Sequence, residues 1–208
     1  WLVKFITVIK PGNLNKNMKI CFWGDIAAAV KGKTIGGSEL QVALLAKSLA
    51  MAGHEVVVID PFTNESFITK EGVKILHVPH WNKGLPGLRM LQYRIPRLYK
   101  LFVQQKADYY YVRMRSYLNL ISYFGAKKVK GKFLLALASD IDLLSLRDKY
   151  KYEYKPSFKL SKYLTYWLPN DIVYKYIFKR ADYILRQHRG QPVKPDMTKG
   201  KVIMFPNI

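Results

Sequence analysis

The six residues Glu55-Val56-Val57-Val58-Ile59-Asp60 constrain the fold of this chain more than any other stretch. Unbroken β-branched side chains with no polar alternation suit a strand buried on both faces, and such strands belong to parallel sheets covered by helices on either side. The segment before it reads as one of those helices. Residues 38–52 carry Leu40, Ala43, Leu44 and Leu49 at helical spacing, and Gly53 follows as a C-terminal stop. The same alternation continues along the chain. It predicts further strands over 19–24, 73–78, 109–112, 132–138, 183–185 and 201–205. Helices are expected over 89–105, kinked or interrupted by Pro96, and over 117–126, 157–168 and 171–180. Pro169 separates the last two, with Asn170 or Asp171 expected to cap the second. Regular strand–helix alternation means an α/β fold: a doubly wound, mostly parallel sheet with helices on both faces.

With 208 residues the chain fits one domain. Residues 1–17 differ from the rest: a short apolar stretch is broken at Pro11-Gly12-Asn13, and the α/β pattern begins only at Met18. They are expected to be an extension outside the core, or else an extra edge strand, with the Rossmann-like domain spanning 18–208. Cys21 is the single cysteine, which excludes an internal disulfide and a cysteine-based zinc site. No apolar run approaches the ~18–20 residues of a membrane span.

In doubly wound sheets ligands bind beyond the carboxyl ends of the strands. The loop after the first strand ends in Gly36-Gly37-Ser38-Glu39, directly before a helix. Paired glycines let a phosphate approach the backbone, where free N–H groups and the helix dipole favour an anion, with Ser38 as N-cap. The same residues also suit a plain tight turn into a capped helix. An overlapping motif, Ala27 to Thr34, is a loose version of the phosphate loop of nucleoside triphosphatases, and Asp60 at the end of its apolar strand could serve as the metal-binding aspartate. Against it, the first position is Ala rather than Gly, and Gly36-Gly37 breaks the helix that should follow. No Gly-x-Gly-x-x-Gly follows any strand.

Met18-Lys19-Ile20, the Gly-Gly-Ser-Glu turn and the segment Leu49 to Val56 together resemble the opening of a retaining glycosyltransferase of family 4, of the GT-B fold. Further segments resemble one branch of that family in the same order: Ala107 to Arg113, Ala138 to Asp142, Ala181 to Gln187 with Gln191 beyond, and Pro206-Asn207-Ile208. The resemblance implies the N-terminal, acceptor-side half of a GT-B enzyme, with the donor-binding C-terminal domain absent from this chain and the isolated half inactive. By that likeness Gly36 and Gly37 approach the diphosphate of a nucleotide-sugar donor. Asp140 stands where many members carry a His-containing motif, and is the catalytic candidate. Arg113, Arg115 and Asp142 are candidates for binding the acceptor, a glycan or lipid-linked molecule. No metal and no cofactor is implied; the nucleotide sugar is a substrate. His188 reads as a surface or packing residue.

The charge balance demands an anionic partner. Lys plus Arg number 35 against 14 Asp plus Glu, a formal net charge of +21. Residues 89–115 carry seven Lys or Arg against Asp108 alone, and residues 147–180 carry nine against Asp148, Glu153 and Asp171. Basic residues interleaved with Tyr, Trp and Phe suit an anionic membrane surface. They also suit single-stranded nucleic acid, although no nucleic-acid-binding signature accompanies them. The plain alternative is a solvated face with the rings packed inside. The expected protein is cytoplasmic, peripheral on the inner membrane face, and transfers sugar in surface polysaccharide or glycolipid synthesis. The competing readings are a non-catalytic basic module and a nucleotide-binding protein of the phosphate-loop type.

Overall fold

A computed structural model describes residues 17–33, 36–85, 88–113, 116–138, 168–187 and 198–204. Eight strands form one sheet: β1 (Lys19–Trp23), β2 (Glu55–Asp60), β3 (Phe67–Ile68), β4 (Lys74–His77), β5 (Tyr109–Val112), β6 (Lys132–Ala136), β7 (Tyr183–Arg186) and β8 (Lys201–Met204). Their order across the sheet is β3-β4-β2-β1-β5-β6-β7-β8. All pairings are parallel except that of β3 with β4. The order runs one way from β1 through β2 to β4 and the other way from β5 to β8, so the direction of winding reverses between β1 and β5.

Side chains along each central strand divide between two cores, as the two-residue period of a strand requires. Ile20, Phe22, Val56, Val58, Tyr109 and Tyr111 face one core, and Cys21, Trp23, Ile59, Tyr110 and Val112 the other. On the first face lie α1 (Ala27–Val30) and α2 (Gly37–Met51), which contributes Val42, Leu45 and Leu49. On the second lie α3 (Ile95–Gln105), α4 (Asn119–Lys128) and α5 (Leu168–Arg180), through Leu98, Phe102, Ile121, Tyr123, Ile177 and Phe178. Helices thus cover both faces of a mostly parallel sheet, the doubly wound architecture expected.

Local details refine the expected boundaries. α2 ends in a paired C-terminal turn, with Gly53 N–H donating to Ala50 and His54 N–H to Leu49, and Gly53 takes the left-handed φ of 86° that glycine tolerates. Pro96 lies in the first turn of α3, where its missing N–H costs nothing, and the helical turns before it widen into a π segment, Met90–Arg94. The expected break at Pro169 is replaced by the first turn of α5, which begins at Leu168. Neither expected cap operates there: Asn170 is buried and accepts a hydrogen bond from Tyr117 N–H, while Asp171 pairs with Lys175 one turn on at 2.8 Å. The two-residue edge strand β3 was not anticipated. Residues 1–16 and most of the helix expected over 157–168 lie outside the described residues.

Candidate functional site

The reversal of strand order between β1 and β5 opens a crevice at their carboxyl ends, where the connections leave toward opposite faces of the sheet. It is lined by Trp23, Gly24, Asp25 and Ile26 after β1, by Ser38, Glu39 and Val42 of α2, by Arg113 after β5, and by Ala138 after β6. Its volume of ≈ 40 Å³ holds a few hydroxyl groups or waters and not a nucleotide, since sites enclosing small molecules span ~300–1,000 Å³. The crevice therefore has room for part of a sugar-sized molecule only, and it opens onto the carboxyl edge of the sheet.

Asp60 holds the floor of this site in shape. It is fully buried, and its carboxylate accepts three backbone N–H bonds: Ile26 at 2.9 Å, Ala27 at 2.7 Å and Phe62 at 2.8 Å. Two of these donors belong to the start of α1, so Asp60 anchors the β1 loop from beneath. This overturns the phosphate-loop reading. Ala27–Val30 is helical where a phosphate-binding loop would have to stay open, and the aspartate expected to hold a metal spends its oxygens on backbone donors.

The paired glycines play unequal parts. Gly36 is the extended residue before α2 and Gly37 its first helical residue, so Ser38 is not the N-cap; its hydroxyl donates to Glu39 Oε2 at 2.7 Å. The Glu39 carboxylate folds back into the space that a Cβ on Gly36 would need, placing a negative charge beside the positive end of the helix. A Cβ on Gly37, by contrast, would meet nothing within 4 Å. The open side of this terminus is therefore at Gly37, beside the Glu39 carboxylate.

Arg113 lines the same crevice as Glu39 and lies close enough to the Tyr111 phenol to act on its ionisation. Burial pushes that phenol up to about 12, with Arg113 pulling the other way. The Arg113 Nε is buried and has no hydrogen-bond partner, and neither has the indole Nε1 of Trp23. Asp25 is held above the ordinary carboxylate range, first by burial and then by the charges of Asp60 and Glu39. The site thus offers two carboxylate acceptors and unsatisfied N–H donors within one small space, a set suited to the hydroxyl groups of a sugar.

Of the residues singled out from sequence, Arg113 lines this crevice, while Gly36 and Gly37 directly precede its Ser38 and Glu39 without lining it. Asp140, Asp142, Arg115, His188 and Gln191 lie outside the described residues. Asp25, Glu39 and Trp23 were missed as site residues, although Asp25 sits one residue beyond the first glycine after β1. The basic segments are also clearer. In the described part of the second, Tyr174 and Phe178 are buried and Arg180 stacks on Tyr176 at 3.9 Å, the arrangement of a packed helix rather than an interleaved surface. In the first, Arg94 lies over Trp81 at 4.5 Å and donates to its carbonyl at 2.9 Å. Arg97 lies over Tyr93 at 4.9 Å and donates to the Pro79 carbonyl at 2.8 Å.

No protein-family model matches the chain, and no curated protein matches it by sequence. Among solved structures it is similar to spinosyn forosaminyltransferase SpnP, with a TM-score of 0.51 at 15% identity over 93% of this chain. The match takes in 51% of that structure, so the chain spans about half its length. The chain has a Rossmann-like α/β fold, shared with about half of that structure. Among the described residues, no helix is long and apolar enough to cross a membrane, and no group of His, Cys, Asp or Glu could hold a metal ion.

Proposed function

We propose that this chain is the acceptor-side domain of a glycosyltransferase that moves a sugar from a nucleotide-sugar donor to an acceptor hydroxyl. The observation that carries the reading is the crevice at the β1/β5 reversal, with its hydroxyl-binding set, in a fold shared with half of a sugar-transferring enzyme. In the reaction the bond from the sugar's anomeric carbon to the diphosphate breaks, a bond from that carbon to the acceptor oxygen forms, and the hydroxyl proton leaves to a base. Asp25 and Glu39 are suited to accept hydrogen bonds from the acceptor's hydroxyls, and Arg113 and the Gly37 helix terminus to donate to sugar or phosphate oxygens. The donor's nucleotide far exceeds the crevice, and its binding falls to a second domain of the kind the GT-B resemblance implies.

The finer reading is a retaining family 4 enzyme acting on a glycan or lipid-linked acceptor in surface polysaccharide or glycolipid synthesis, with Asp140 as its catalytic candidate and Asp142 and Arg115 as further acceptor-binding candidates. The test is transfer by the protein as its gene encodes it: release of UDP or GDP from a panel of nucleotide sugars, with and without glycan and lipid-extract acceptors. Acceptor-dependent release that falls at least tenfold in Arg113→Ala supports the reading; release indifferent to every donor and acceptor overturns it. The net charge of +21 favours a second reading, a basic module without catalysis. That reading predicts binding to any polyanion, with steep salt dependence and no preference for sugars.

A further inference from the structure

Between Glu71 and Asp108 the sequence contains seven Lys or Arg and no Asp or Glu. Among the described residues no carboxylate pairs with Lys83, Arg89, Arg94, Arg97 or Lys100; Arg94 and Arg97 bond only to neutral carbonyl oxygens. The crowding is visible in Arg94 itself, whose guanidinium is pushed below its ordinary range by burial and then by the charge of Arg89. The same segment carries the densest set of exposed leucines in the described chain: Leu85 at 67%, Leu88 at 50% and Leu91 at 66% exposed. Hydrogen bonds from the Arg89 N–H to Leu85 and from the Leu91 and Gln92 N–H groups to Leu88 tie these leucines to the turns leading into α3. Met90, Ile95, Leu98 and Phe102 pack on the core.

Exposed leucines cost free energy in water, and unpaired cations beside them repel one another. A surface that presents both together is matched by an anionic lipid interface, where acyl chains take the leucines and headgroup phosphates take the cations. Nucleic acid would use the charges but leave the leucines unburied. We infer that Leu85, Leu88 and Leu91, with Lys83, Arg89 and Lys100 around them, dock this chain on an anionic lipid surface. The leucines rise from the loop after β4, at the carboxyl edge of the sheet that also holds the crevice. Arg94 stacks on Trp81, and Trp81 meets Trp23 of the crevice wall with ring centroids 6.3 Å apart. Docking here sets the crevice next to the headgroups. The inference goes beyond the proposed activity and does not depend on it.

The test is sedimentation of the protein with phosphatidylcholine vesicles and with vesicles containing phosphatidylglycerol, across a salt series. Binding is expected only to the anionic vesicles. Replacing Leu85, Leu88 and Leu91 together with Ser is expected to weaken it about a hundredfold, and Arg89→Gln or Lys100→Gln about fivefold each, with circular dichroism and melting temperature unchanged. Triple-serine protein that binds as tightly as its parent, binding to neutral vesicles, or single-stranded DNA bound equally well with and without the leucines would overturn the inference. Transfer to a soluble acceptor in detergent should be the same in the triple-serine protein, so loss of docking and loss of sugar transfer are read separately.

Discussion

Asp60→Asn is the sharpest probe of how the site is held. In the parent protein one carboxylate oxygen serves Ile26 and Ala27 and the other serves Phe62. An amide supplies a single acceptor oxygen. If that oxygen keeps the two donors of the β1 loop, the new NH2 group faces the Phe62 N–H, and this part-buried donor loses its partner. A buried unsatisfied donor costs about 1–3 kcal/mol. With a urea dependence of about 2 kcal/mol per molar, the midpoint should fall by about 0.5–1.5 M at unchanged slope. Asp60→Ala strands all three donors and should cost about 3 kcal/mol or more. It should also abolish ligand binding, because residues 24–27 lose their anchor. Equilibrium urea unfolding followed by tryptophan fluorescence reads both. If Asp60→Asn moves the midpoint by less than about 0.2 M, a shift ordinary for a surface change, the carboxylate is not the anchor described.

Other expectations follow from particular contacts. Gly37→Val projects into open space at the start of α2, so the chain should keep its stability within about 0.5 kcal/mol while sugar-ligand affinity drops at least tenfold by calorimetry. Gly125 lies in α4 where a Cβ would stand 2.6 Å from the Phe102 Cβ of α3, so Gly125→Ala should destabilise by about 1–3 kcal/mol in spite of the better helix propensity of alanine. Asp25 is held above its ordinary range by burial, Asp60 and Glu39, so its ionisation opposes folding, and stability falls as pH rises from the unfolded toward the folded value. Asp25→Asn should therefore raise the melting temperature at pH 7 and lower ligand affinity. For Asp182, burial acts upward but is outweighed by bonds from Lys127 and the Phe133 N–H and by the charges of Lys127 and Lys132. Its lowered value gives stability that is full above the unfolded carboxyl's pKa of about 3.9 and is lost as pH falls through the folded value, so Asp182→Asn should flatten the acid limb of a melting-temperature profile.

The sheet was legible because its central strands are strongly patterned. Glu55–Asp60 and Tyr109–Val112 begin and end where the sequence places them, since apolar side chains on both faces leave no alternative environment. Short or context-bound features were not. Phe67–Ile68 is a strand only because it meets β4, and nothing in two residues announces it. Asn170 reads as a cap by residue type, yet Tyr117, far away in sequence, claims its side chain. Asp60 suggested a metal ligand for the same reason: its position at a strand end is visible in sequence, whereas the three N–H groups that consume it come from the folded loops. In the site, glycines and Arg113 drew notice as residue types with known uses, while Asp25 and Glu39 acquire theirs only once β1 and α2 bring them together.

The central claim is that ligands meet this chain at the β1/β5 crevice. Backbone amide mapping by NMR during titration with nucleotide sugars and oligosaccharide acceptors tests it directly. The account predicts saturable shifts clustered on residues 24–26, 36–39, 113 and 138, and loss of those shifts in Gly37→Val. Shifts gathered instead at the opposite edge of the sheet, around Lys106, Lys130 and Lys132, or no saturable shift with any sugar, would contradict it.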